Sequence, residues 1–262
     1  MEFSDTLNSI VVHDQVCTAV IGEDWSQGRA TFGGMVAALG NEAMRRLVPA
    51  ERQLRGLETI FVGPTLAGSV QIQAEVLRVG KAVTIAGARL WSDNKVAATL
   101  TGVYGAARAA AITIAPAAAS SARVEDLPEP VPPPGVRPAF LRHFGLRWAE
   151  GTWPFTGSAL RTSKTFVRHN DSGALTESHV VALVDCVPSV ILQMMKTPAP
   201  SSSLTWTVQF LKHDYHFAPD DWWRIDSEIN AAGEGYTCES SVLLDPTGTP
   251  AALSRQMVAV FG

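Results

Sequence analysis

Along the chain, stretches with helical period alternate with stretches of two-residue period, and the order in which they come repeats. From Gly33 to Val48 (GGMVAALGNEAMRRLV) Met35, Leu39, Ala43 and Leu47 lie four apart. Val36 and Ala38 widen that apolar stripe, while Glu42, Arg45 and Arg46 take the polar side. The spacing predicts a helix entered through a turn-rich segment, Trp25–Phe32. Four segments of strand character follow: Leu54–Val62, Ser69–Val79, Ala82–Trp91 and Val96–Tyr104. Gly63-Pro64, Gly80-Lys81 and Ser92-Asp93-Asn94-Lys95 separate them with turn chemistry. A further strand is expected over Ile10–Ile21.

The second half runs in the same order. A strand near Ser163–His169 leads through Asn170-Asp171-Ser172-Gly173 into a helical stretch, Glu177–Met195. Four strands are then expected: Leu204–His213, Trp222–Asn230, Tyr236–Leu244 and Ala251–Phe261. The closing segments AATLTGVYG and LSRQMVAVFG both end on aromatic-Gly, and the middle hairpins QIQAEVLRVGKAVTIAGARLW and WRIDSEINAAGEGYTCESSVLL correspond. Two divergent tandem copies of a helix followed by four strands account for this pattern. The expected division is 1–105, a linker 106–138, and 139–262. The linker, Ala106–Pro138, is Ala-rich and holds seven of the sixteen prolines, so it reads as a semi-rigid extended connection; docking another protein through its PVPPP run is the alternative.

A long helix laid on an antiparallel sheet is an α+β layer, and two copies can pair edge to edge so that neither sheet exposes its inner edge. That arrangement is a tandem (double) hotdog. Composition narrows the rest. With 46% apolar and 18% charged residues the chain can bury a substantial core, and a net charge of -4 (21 Lys+Arg, 25 Asp+Glu) argues against a nucleic-acid partner. No uninterrupted apolar run reaches the ~18 residues of a membrane span. The opening MEFSDTLNSIVVHDQ lacks the basic-then-apolar order of a signal peptide, so a cytoplasmic location is expected. Cys17, Cys186 and Cys238 lie far apart with no CxxC pair, as reduced thiols would. The histidines are scattered, and His213 and His216 do not make a metal pair; no metal is expected. There is no GxSxG, no GxxxxGK[ST] and no GxGxxG.

GRATFGGMVAAL, RGLETIFVGPTLAGSVQIQAEVLRVGKAVT, ALVDCVPSVIL, SLTWTVQFL and SRQMVAVFG, taken in order, resemble the double-hotdog acyl-CoA thioesterases of the bacterial thioesterase II type. The resemblance covers nearly the whole chain outside the linker, and it rests on order and spacing, not on any one motif. It implies hydrolysis of acyl-CoA to a carboxylic acid and coenzyme A, with no resident cofactor because coenzyme A is part of the substrate. A homo-oligomer, a dimer or a dimer of dimers, is expected.

Asp185 is the leading candidate for the chemistry. It sits within VVALVDCVPSVIL, on or beside the buried stripe, where an unpaired carboxylate costs several kcal/mol and needs a partner or a role. Pro188 cannot donate to the carbonyl of Val184, so the helix kinks or restarts here, and Asp185 capping the restarted helix is the structural alternative. Gln256 shares a strand face with Val258 and Val260, with Thr99 as its counterpart in the first copy. Thr205 and Thr207 share one face of their strand. In the related thioesterases an aspartate, a threonine or serine, and a glutamine orient the attacking water; by position these fall on Asp185, Thr205 and Gln256, with Thr207 one alignment step away. Gly33 and Gly34, at the start of the first helix, expose backbone amides suited to an oxyanion. Arg78 and Lys81, beside a hairpin turn, are candidates for coenzyme A phosphates, and Met194, Met195 and Trp206 for an acyl tunnel. Two rival readings remain: a hotdog enoyl-CoA hydratase or dehydratase, which would pair a histidine with a carboxylate, and a non-catalytic acyl-thioester binder.

Overall fold

The computed structural model describes residues 1–14, 16–114, 124–128 and 137–261. Most of the 106–138 linker, including its PVPPP run, lies outside the described residues. The first half comprises α1 (Phe3–Asn8), β1 (Val11–His13), β2 (Val16–Ile21), the short pair β3 (Ser26–Gln27) and β4 (Ala30–Thr31), and α2 (Gly33–Arg45). Strands β5 (Gln53–Phe61), β6 (Gly68–Val79), β7 (Val83–Ser92) and β8 (Lys95–Gly105) complete it. The second half has β9 (Phe144–Glu150), β10 (Thr162–His169), α3 (Glu177–Asp185), α4 (Val190–Met194), β11 (Ser201–Phe210), β12 (Trp223–Gly233), β13 (Tyr236–Leu244) and β14 (Pro250–Val260). Helix α1 and strand β9 were not foreseen, because neither run is long enough to establish a period. The helical stretch expected over 177–195, with a kink or restart at Pro188, is two helices interrupted at Cys186–Ser189.

Twelve strands form a single antiparallel sheet in the order β1-β2-β6-β7-β8-β5-β11-β14-β13-β12-β10-β9. The two halves meet where β5 pairs with β11, from Thr205 opposite Ile60 to Gln209 opposite Gly56. Trp206, Val208 and Phe210 from β11 and Leu54 and Leu57 from β5 point into one core, which α2 and α3 close from the other side.

The helices run antiparallel and very close. At one end Gly34 lies against Ala182, where a Cβ would come within 3.1 Å of the Ala182 Cα; at the other, Asn41 of α2 meets Glu177 and Ser178 of α3. Gly40 has the same function toward the sheet, since a Cβ there would come within 2.7 Å of the Leu100 side chain. Small residues thus set the helix spacing, while Met35, Val36, Leu39 and Met44 fill the core on one side and Val180, Val181 and Leu183 on the other.

Asn41 is 1% exposed and joins the helices through hydrogen bonds. Its Nδ2 donates to Ser178 Oγ (3.0 Å) and Glu177 Oε1 (3.3 Å), and its Oδ1 accepts from Tyr104 Oη (2.8 Å). Burial raises the Glu177 carboxyl, and the Leu54 N–H, which donates to Glu177 Oε2 at 2.8 Å, offsets part of that cost. Asn41→Leu removes three buried hydrogen bonds and leaves the Tyr104 hydroxyl without its acceptor, while Ser178 keeps Glu42 and Glu177 keeps the Leu54 N–H; a loss of about 1–3 kcal/mol is expected in urea unfolding, with the slope unchanged.

Candidate functional site

Asp185 closes α3, and the chain then passes through Cys186, Val187 and Pro188 to Ser189, the N-cap of α4. The Asp185 Oδ1 accepts from Gln256 Nε2 at 3.0 Å, and the same Nε2 donates to Ser203 Oγ at 2.7 Å. Gln256 reaches both from the inner face of β14. On the other side of the carboxyl stands the start of α2: a Cβ on Gly33 would lie 2.8 Å from Asp185 Oδ2 and 3.1 Å from the Phe61 ring. Only glycine admits the carboxylate this close. Phe32, the N-cap of α2, gives it no side-chain cap, so the amides of Gly33 and Gly34 find no acceptor within the helix and carry its positive dipole end.

Burial pushes the Asp185 carboxyl up to about 7; the hydrogen bond from Gln256 and the Gly34 backbone N–H act in the opposite direction, toward the anion. A carboxyl with that value exchanges its proton near neutrality, which neither of its helices would confer alone. The thiol of Cys186 beside it is also raised by burial.

The third member of the cluster is Ser203, not Thr205. Strict alternation along β11 would put Ser203, Thr205 and Thr207 on one face. A β-bulge at Leu204 breaks it: Ser203 pairs with Val258 and Thr205 with Met257, so Ser203 and Trp206 both face inward. Thr205 is exposed between Ile60 and Met257, and Thr207 is half-buried between Glu58 and Arg255. Nothing in the local sequence marks the bulge. A serine of SSSLTWTVQF within reach of Gln256 was the available signal, and the alternation hid it.

Arg78 and Lys81 are not brought to the site. They are exposed on the β6–β7 hairpin, whose tip pairs Val79 with Thr84. Phe61, which touches Gly33, pairs with Ala98, and Ala98 with Leu90. From Leu90 to Thr84 is six residues of β7, about 20 Å of strand in the wrong direction. The hairpin tip instead meets Arg52, which donates to the carbonyls of Gly80 and Lys81. Trp206 is buried core, its Nε1 donating to Ser254 Oγ at 2.8 Å. His179 is tied down on both ring nitrogens, by Thr176 Oγ1 at 2.8 Å on Nδ1 and by Ser4 Oγ at 3.1 Å and Asp171 at 3.3 Å on Nε2. Among the described residues no group of three His, Cys, Asp or Glu could hold a metal.

The approximate two-fold relating the halves defines a second, dyad-related position, and it is filled. Asp185 and Asn41 are each the ninth residue of their helix. The bulges at Leu204 and Arg55 make Ser203 equivalent to Leu54 and Gln256 to Gly102, which corrects the assignment of Thr99 as the Gln256 counterpart. Where Gln256 would project, a Cβ on Gly102 would come within 2.7 Å of the Tyr104 ring, whose hydroxyl bonds Asn41. The counterpart of Gly33 is Glu177, and its carboxylate receives the Asn41 and Leu54 N–H donors. Neither the acid nor the open helix start survives there, so the cluster is built once.

Two helix-on-sheet units sharing one sheet, with a carboxyl, an amide and a hydroxyl gathered where one helix ends against the other's start, define a double-hotdog protein. Residues 21–105 match the acyl-CoA thioesterase N-terminal domain and residues 121–260 the acyl-CoA thioesterase C-terminal domain, and the chain belongs to that acyl-CoA thioesterase family. Among solved structures it is similar to a hot dog fold protein of unknown function from Alicyclobacillus acidocaldarius (TM-score 0.87, 19% identity, 99% of this chain and 98% of that one). It is also similar to the acyl-CoA thioesterase II TesB2 of Mycobacterium marinum (TM-score 0.78, 16% identity, 99% and 98%) and to the tesB protein of Mycobacterium avium subs paratuberculosis (0.79, 17%, 99% and 98%). At these identities the likeness establishes the fold. No curated protein matches the chain.

The raised carboxyl has a consequence for stability. The ordinary value is 3.8 and the folded value about 7, so the folded state holds this proton more tightly than the unfolded chain. The resulting stabilisation is complete below the unfolded value and is lost as pH rises through 7. Asp185→Asn is therefore expected to raise stability at pH 8 by about 2–4 kcal/mol and to leave it nearly unchanged at pH 4, measured by urea unfolding at both pH values.

Proposed function

We propose that the protein hydrolyses acyl-CoA thioesters, with Asp185 as the base. The observation that carries this reading is the Gln256 amide clamped between Asp185 Oδ1 and Ser203 Oγ, directly beside the uncapped start of α2. A water held by the Asp185 carboxylate and the Ser203 hydroxyl attacks the thioester carbonyl while its proton passes to Asp185. The carbonyl oxygen becomes negative next to the Gly33 amide at the start of α2, where the helix dipole is already oriented and needs no reorganisation, while the Gly34 N–H stays on Asp185. The tetrahedral intermediate expels the coenzyme A sulfur. The proton held by Asp185 then passes to that thiolate, and the products are a carboxylic acid and the free thiol. Gln256 neither gives nor takes a proton; it fixes the carboxylate and hydroxyl relative to one another.

The hydratase alternative needs a histidine facing the carboxylate, and His179 is committed to Ser4, Asp171 and Thr176. No metal or organic cofactor has a part in the proposed step.

Release of free thiol from a panel of short, medium, long and aromatic acyl-CoAs tests the reading. Wild-type kcat should rise with pH to a plateau through a midpoint near 7, the carboxylate being the active form. Asp185→Asn should lower kcat by about 10²–10⁴-fold, and Ser203→Ala and Gln256→Ala by about 10-fold or more, whereas Thr205→Ala should stay within about two-fold of wild type. Tight acyl-CoA binding with no thiol release from any member would replace the hydrolase by a binding protein.

A further inference from the structure

A second carboxylate stands beside the cluster with no part in the proposed chemistry. Glu239 on β13 is the register partner of Gln256 on β14, so the two side chains leave the same inner face about 5 Å apart. Glu239 is 5% exposed, and burial raises its carboxyl. Among the described residues its hydrogen-bond donors come from the start of α4: Ser189 Oγ at 2.5 Å and the Ile191 N–H at 3.2 Å on Oε1, and the Val190 N–H at 3.1 Å on Oε2.

Helix α4 starts five residues after Asp185, and Ser189, its N-cap, does not cap it with its own side chain. First-turn amides of a helix seek an acidic or hydroxyl acceptor. Asp185 is the acid placed nearest before that start in the chain, and by sequence alone it could serve as the acceptor. In the folded protein the sheet supplies a different acid for this task, and Asp185 is left to Gln256 and the start of α2.

We propose that Glu239 is a positioning residue: by taking the donors of α4 it holds the Cys186–Ser189 break in place and keeps Asp185 free to serve as the base. The proposal rests on the role given to Asp185 above. The titratable groups on the elements packed around Asp185 are Cys186 next to it and Glu239 itself. Helix α2 and β5 present Gly33, Gly34 and Phe61, and β11 and β14 present Ser203 and Gln256, none of which titrates. When Glu239 is removed, the α4 amides are left to recruit Asp185, which stabilises its anion and lowers its midpoint.

The test compares wild type with Glu239→Ala and the isosteric Glu239→Gln, each shown to be folded by circular dichroism. Two quantities are read: the pH profile of thiol release, and the titration midpoint of Asp185 followed directly by carboxyl 13C NMR. In Glu239→Ala kcat should fall about 10-fold or more with KM within about two-fold, and the Asp185 midpoint should drop by about one unit or more; Glu239→Gln, whose amide oxygen still accepts part of the α4 donors, should shift both in the same direction by less. A fall in kcat with an unmoved midpoint would reduce Glu239 to a structural cap, and no change in either would remove its role; both overturn the proposal. Should Glu239→Ala fail to fold, Glu239→Gln decides alone. Because the NMR midpoint needs no turnover, a shifted midpoint in a protein that hydrolyses nothing would retain the positioning role while the hydrolase reading fails.

Discussion

Backbone pairing between β5 and β11 is the constraint on which everything else depends. Each half ends in a sheet with an open edge, and an unpaired edge inside an apolar core would leave a row of N–H and C=O groups without partners. Joining the two edges satisfies those groups and, in doing so, sets the halves antiparallel about an approximate two-fold. The helices above the sheet must then run antiparallel as well. The start of α2 is carried to the end of α3, and a helix dipole, a carboxyl and the inner face of β14 come to one point. The site is a consequence of the sheet junction.

The same two-fold creates the site's position twice, and the chain has used the two differently. At one end Gly33, Asp185, Ser203 and Gln256 leave a carboxyl beside the uncapped start of α2. At the other, Glu177, Asn41, Leu54 and Gly102 stand in the corresponding places, with Tyr104 occupying the space that an amide would need. The second arrangement satisfies its donors internally and joins the helices firmly. The first keeps a raised carboxyl that gains nothing for stability at neutral pH. One end of the helix pair therefore supplies rigidity, and the other carries the strain of a raised carboxyl.

Pro188 links local sequence to that division. Without its N–H the helix begun at Glu177 cannot continue past Asp185, so the acid falls at a helix end, where it can face across to another element. The restarted helix brings its own unsatisfied amides, and a residue distant in sequence, Glu239, receives them. A single proline thus creates both the opening for Asp185 and the helix start that Glu239 receives.

The helix-and-strand repeat, the two principal helices and most strands were legible from residue periodicity, because period reports which face of an element is buried. Asp185 stood out for a related reason: an acid within an apolar helix needs an explanation that local structure cannot provide. Gln256, Gly33 and Gly34 were reachable by the same reasoning. What remained hidden depended on register. One extra residue at Leu204 turns Ser203 inward and Thr205 outward, and sequence carries no mark of a bulge whose cause lies in the pairing of neighbouring strands. The distance from Arg78 and Lys81 to Gly33, the closure of the second position by Tyr104 and Glu177, and the placing of Glu239 beside Gln256 are likewise relations between strands. Periodicity describes one element at a time, and only the assembled sheet brings residues of different elements within hydrogen-bonding distance.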